Sequence, residues 1–136
     1  MWPFLLSHHS AEDAERCLRV GSVHLCRRCT ALWPLCIAVL IYLAAERAPV
    51  ASGEVIAAWL FLPVAEFTAV HMGRMSYSAS RVWLLSLIAS VGAAQLFYRY
   101  MVDPTDPTPW LIALGFGLPA AAAAIYHEIG KKPKVL

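Results

Sequence analysis

Three cysteines crowd into one short run near the start of the chain, Cys17 followed by Leu-Arg-Val-Gly-Ser-Val-His-Leu and then Cys26-Arg-Arg-Cys29. Cys26 and Cys29 have the C-x-x-C spacing that lets two thiolates reach one tetrahedral ion. Cys17 precedes them by a stretch that reads as a tight hairpin around Gly21 and Ser22, which would return a third sulfur to the same place. A structural zinc takes four protein ligands. His8, His9 and His24 are the candidates for the fourth, with His9 or His8 preferred because they lie outside the hairpin. The expected cofactor is therefore zinc in a Cys3His site. Reducing solvent disfavours disulfides, and Arg16, Arg19, Arg27 and Arg28 favour thiolates nearby. The same residues also allow a redox thiol pair, an iron-sulfur ligand set or free buried cysteines. Cys36 falls inside an apolar run and reads as packing.

Glu66 is a second chemical signal, because it stands within an otherwise apolar run. A carboxylate at that depth must be protonated, paired or facing a wet cavity, and it marks a functional site by default. Its expected partners are His71, Arg74 and Arg81. The plainer alternative is a buried ion pair that only fixes helix register. His71 could equally do no more than point at headgroups. Gln95 reads as a hydrogen-bonding residue between helices.

The elements that must position these groups follow from composition. Of 136 residues, 60% are hydrophobic and 15% charged, with mean hydropathy +0.59, far from the balance of a soluble domain. So short a soluble chain buries too little surface to hide that many apolar residues, whereas a bilayer solvates them directly. Four stretches approach the roughly 17 to 25 residues needed to span. They are 30–45, interrupted by Pro34; 55–72, carrying Pro63 and Glu66; 82–102, ending in Phe97, Tyr98, Arg99 and Tyr100; and 109–126, anchored by Trp110 and Tyr126. In the last, Gly115, Gly117 and Ala120 to Ala124 form a small-residue surface suited to close helix packing. The loop of Asp103, Pro104, Asp106, Pro107 and Pro109 cannot continue the third helix.

Nine of the eleven Lys and Arg residues fall in the N-terminal segment, the second loop and the C-terminal tail, leaving only Arg47 and Arg99 opposite. Positive loops stay cytoplasmic, so both termini are expected there, as an even number of spans requires. The first residues have no basic region ahead of an apolar core, so no cleavable signal peptide is expected. The basic residues are scattered, which argues against nucleic-acid binding. The resulting expectation is an all-α integral membrane protein of the bacterial inner membrane. Residues 1–29 form a metal-binding segment with a small zinc-knuckle-like hairpin, 30–130 a four-helix transmembrane bundle, and 131–136 a basic tail.

Two blocks of residues resemble a family of uncharacterised small bacterial multi-pass membrane proteins. In the first, His8 or His9, Arg16 with Cys17, Gly21, and then Leu25, Cys26, Arg28, Cys29, Thr30 and Trp33 are similar to an early His and a Cys-x-Arg-Cys-Thr segment opening the first helix. In the second, Pro63, Glu66, Gly73 and Arg81 follow the family's order and spacing. Ser7 stands where many relatives have Cys, Ala31 where Gly is usual, and Cys17 where Ser is frequent. If the site is metal, the early cysteine's part passes to Cys17. The resemblance implies the architecture and no activity.

Three functions fit these features. One is a non-enzymatic accessory or scaffold subunit, its zinc clamping the N-terminal segment onto the bundle, with the lipid bilayer and other membrane subunits as partners. Another is a metal-dependent enzyme or metal-handling protein with a pocket formed by Glu66, His71, Arg74 and Arg81. The last is a thiol redox or metal sensor. No phosphate loop, nucleophile triad or nucleotide fingerprint occurs.

Overall fold

A computed structural model describes residues 16–130. His8, His9 and the basic tail lie outside the described residues. Two strands, β1 (Cys17–Val20) and β2 (Val23–Cys26), lead into four helices: α1 (Arg27–Ala45), α2 (Gly53–His71), α3 (Ala79–Val102) and α4 (Thr108–Gly130).

The strands pair antiparallel, Cys17 opposite Cys26 and Val20 opposite Val23. Gly21, with φ +61, supplies the left-handed residue at the first turn position, where a two-residue type II′ hairpin requires it. Counting back from the closing pair Val20 and Val23, hydrogen-bonded and non-hydrogen-bonded pairs alternate. Cys17 and Cys26 therefore form a non-hydrogen-bonded pair, in which opposed side chains approach most closely. The outward-turned Cys17 carbonyl accepts a hydrogen bond from Arg27 Nε at 3.1 Å, which ties the hairpin to the head of α1.

All four helices are long and apolar enough to cross a membrane. The first begins at Arg27 rather than at residue 30, so Arg27, Arg28 and Cys29 belong to its first turn and not to a separate segment. That extension brings the shortest expected span to 19 residues. Pro34, Pro63 and Pro119 all sit inside helices, tolerated where neighbouring groups re-satisfy the freed carbonyls. Helix α2 ends in a Schellman turn around Gly73 (φ +70), with Arg74 N–H donating to the Ala69 carbonyl. Helix α1 ends in the same way, with Arg47 (φ +48) in the position that glycine usually fills.

Helix α3 packs along both α1 and α2, and α4 leans mainly on α2. The close approach to α3 comes from its own small residues: Ser86, Ala89, Ser90, Gly92 and Ala94 are all buried. Ser90 Oγ lies 3.0 Å from the Leu32 carbonyl of α1 and 2.7 Å from Ser86 O, so its single hydrogen is shared between them. The small-residue surface expected of α4 is used less. Nothing lies within 4 Å of where a Cβ would stand at Gly115 or Gly117. Cys36 packs with Leu43, Ala94 and Tyr98 in an apolar cluster. Large apolar side chains such as Ile37, Ile41, Phe61, Leu84, Leu111 and Leu118 point outward, as hydrocarbon solvent permits.

Candidate functional site

The polar chemistry gathers at the end of the bundle where α1 and α3 begin and α2 finishes. Glu66, 5% exposed, stands a turn and more inside α2. Arg28, in the first turn of α1, brings Nη2 to 2.7 Å from Oε2, and Arg81, in the first turn of α3, brings Nε to 3.3 Å from Oε1. One buried carboxylate thus joins three helices. Arg81 also donates to the Ser76 carbonyl, which fixes the loop between α2 and α3.

Of the partners expected for Glu66, only Arg81 is found. Arg28, expected to act on the thiolates, is the closer partner, because the early start of α1 turns it inward. His71 lies further along α2, where Nδ1 donates to the Phe67 carbonyl at 2.8 Å and the ring stacks on Phe67 at 4.0 Å. A carbonyl only accepts, so Nδ1 carries the proton, and in the neutral ring Nε2 accepts from Arg16 Nη1 at 3.3 Å. His127 of α4 meets His71 edge-on, with ring centroids 5.3 Å apart. Arg74 is exposed and lies against the groove between α2 and α4, away from Glu66. Gln95 Oε1 is buried and finds no hydrogen-bond partner among the described residues.

Arg16, Arg28, His71 and Tyr77 surround a cavity of about 20 Å³, with Phe67 and Val82 forming part of its apolar wall. Room for a water-sized atom needs about 10 to 15 Å³ on this measure, so one oxygen atom fits. Arg28 lies over the Phe67 ring at 5.0 Å and Arg16 over the Tyr77 ring at 5.9 Å, contacts that orient both cations. Burial raises the Tyr77 hydroxyl above the ordinary phenol range and keeps it protonated.

No family model, no curated protein and no solved structure matches this chain.

The cysteines occupy the neighbouring surface. Cys17 and Cys26 are buried and directly opposed across the hairpin. Cys29, three residues into the helix, lies within hydrogen-bonding reach of the Cys26 thiol. None of the four cysteines is in a disulfide. Among the described residues, no three His, Cys, Asp or Glu side chains stand together so as to hold one ion. The preferred fourth ligands, His8 and His9, lie outside the described residues. His24 is paired with Arg19 and, two residues before Cys26, shares its face of the strand.

Two functional features escaped sequence reasoning. One is Arg28 as a partner of Glu66, which depends on where α1 starts. The other is Tyr77 beside Arg16, in a loop whose course no periodicity reports. A signal for the second existed in composition: Tyr77 is the lone aromatic between Met72 and Val82.

Proposed function

We propose that this chain is a small integral membrane protein of the bacterial inner membrane, an accessory or scaffold subunit. A zinc ion held by Cys17, Cys26, Cys29 and His9 or His8 fastens its N-terminal segment to the helix bundle. The observation that carries this reading is the register of the hairpin. It sets Cys17 against Cys26 while the first turn of α1 sets Cys29 beside Cys26, so Cys26 has a soft donor on either side, as two pairs rather than a closed three-sulfur group. The chemistry of the donors suits zinc, which thiolate and imidazole bind in tetrahedral sites. When bound, the ion would tie a short hairpin of little core to the bundle, and such ions contribute on the order of 10 kcal/mol of apparent folding free energy. A non-enzymatic role is favoured by Glu66, whose two oxygens each face a guanidinium rather than an open base position.

Elemental analysis of purified protein is the test. One zinc per chain, lost in Cys29→Ala with faster proteolysis near Arg19, is the expected result. Metal-free protein of unchanged protease resistance would overturn the reading. The contact between Cys26 and Cys29 favours one second reading, a thiol sensor. Its signature is reversible oxidation of that pair in cells without bound metal.

A further inference from the structure

We infer that the cavity between Arg16, Arg28, His71 and Tyr77 is a binding site for a phosphoryl oxyanion, with one anion oxygen seated inside and the others at the mouth. This site is separate from the cysteines and does not rest on a metal. Three independent features of the geometry converge on it.

The first is charge. Arg28, Glu66 and Arg81 form a triad of two guanidiniums and one carboxylate, so the wall that Arg28 contributes belongs to a net positive group. The described Arg28 bond to Glu66 uses Nη2, and a guanidinium carries five N–H donors in a fixed fork. The Arg28 side chain is 20% exposed and lines the cavity. The second is an idle donor. The Tyr77 hydroxyl oxygen is buried without a hydrogen-bond partner among the described residues, and Tyr77 is one of the residues lining the cavity. A buried phenol O–H lacking an acceptor is costly, and an anion oxygen in the cavity would satisfy it. The third is organisation before binding. Phe67 and Tyr77 hold the two guanidiniums by their faces, and His71 is pinned through Nδ1 to the Phe67 carbonyl. His71 therefore serves the site by holding Arg16 through its accepting Nε2 and not as a donor to the anion, and guanidiniums fixed in place lose little freedom when the anion arrives.

The cavity admits a single oxygen and not a whole tetrahedral anion, so the remaining oxygens must lie among the guanidinium edges at the opening. Arginine forks match phosphoryl oxygens in this way. The site lies at the level of the helix ends, where a phospholipid presents its phosphate. A free phosphate or phosphate monoester offers the same chemistry.

The experiment uses the full chain in detergent and in lipid nanodiscs. Thermal unfolding is followed while inorganic phosphate is titrated against chloride at matched ionic strength, and again in nanodiscs of phosphatidylglycerol and of phosphatidylcholine. Wild-type protein should be stabilised by phosphate, by phosphatidylglycerol over phosphatidylcholine, whose choline ammonium offsets the charge of its phosphate, or by both. Phosphate acting alone identifies a free oxyanion, and the lipid acting alone identifies a headgroup. In Tyr77→Phe the apparent affinity should fall about tenfold, the effect of one hydrogen bond to a charged group. Arg16→Gln should weaken it at least as much, while Arg19→Gln, on the hairpin away from the cavity, should leave it unchanged. No stabilisation of the wild type by either anion would overturn the inference. So would equal responses from wild type and Tyr77→Phe, a conservative change that keeps the ring.

Discussion

Arg28, Glu66 and Arg81 show how little a residue type says until its neighbours are known. Glu66 keeps only 4% of its side chain exposed, against 20% and 31% for Arg28 and Arg81. Truncating different members of the triad should therefore cost different amounts. Arg28→Ala leaves a buried carboxylate on one longer contact and should lower unfolding free energy in detergent by about 3 kcal/mol. Glu66→Ala should cost less, about 2 kcal/mol, because both cations can turn toward water. The reverse order would mean that Glu66 is held by something other than these two ion pairs. Asp106 gives a pH-dependent counterpart at the opposite end of the bundle. Hydrogen bonds from Thr108, side chain and backbone, and then Arg99, hold its carboxyl below the ordinary aspartate range. A depressed folded-state pKa stabilises above the unfolded value of about 3.9, and that stability is lost as pH falls through the folded value. The melting temperature of the wild type should drop below pH 4 more steeply than that of Asp106→Asn. Parallel profiles would remove Asp106 from the account. Neither Arg28 as a partner of Glu66 nor Asp106 as the acceptor for the Thr108 N–H could be read from residue types alone, since both depend on where a helix starts.

Helix existence was legible at the scale of elements, and helix packing was not. All four spans appear within a few residues of where apolar runs place them, and the hairpin turn sits on Gly21 and Ser22 as the spacing implied. Which small residues make the close crossings could not be ranked by composition, because Gly115 and Gly117 look as suitable as Gly92. The crossing decides it. A Cβ added at Gly92 would stand 2.9 Å from Leu60 Cγ and 3.0 Å from Trp59 Cβ, the latter a stem atom fixed to the α2 backbone. Gly92→Ala should push α2 and α3 apart and cost about 1 to 3 kcal/mol. Gly115→Ala, with open space around it, should be close to neutral or slightly stabilising through its better helix propensity. Melting temperatures of the two variants in the same detergent separate these outcomes, and equal values would show that the α2–α3 crossing tolerates a wider spacing.

Across the whole molecule, four helices joined by short loops place residues 27, 71, 79 and 130 at one end and residues 45, 53, 102 and 108 at the other. We propose from the charge distribution that the first end is cytoplasmic. Thr105→Cys should then react with a membrane-impermeant maleimide in intact cells, while Met75→Cys should react only after lysis. The opposite labelling pattern would invert the protein and place the cysteines in an oxidising compartment. Composition alone determined that the chain belongs in an apolar solvent and how many times it can cross, because hydrocarbon thickness imposes a length that any sequence must meet. The bringing together of Arg16, Arg28, Tyr77 and Arg81 around Glu66 and His71 was decided by tertiary structure. Those residues come from separate segments, and which face each helix turns toward its neighbours is set by packing, a long-range property that local hydropathy does not encode.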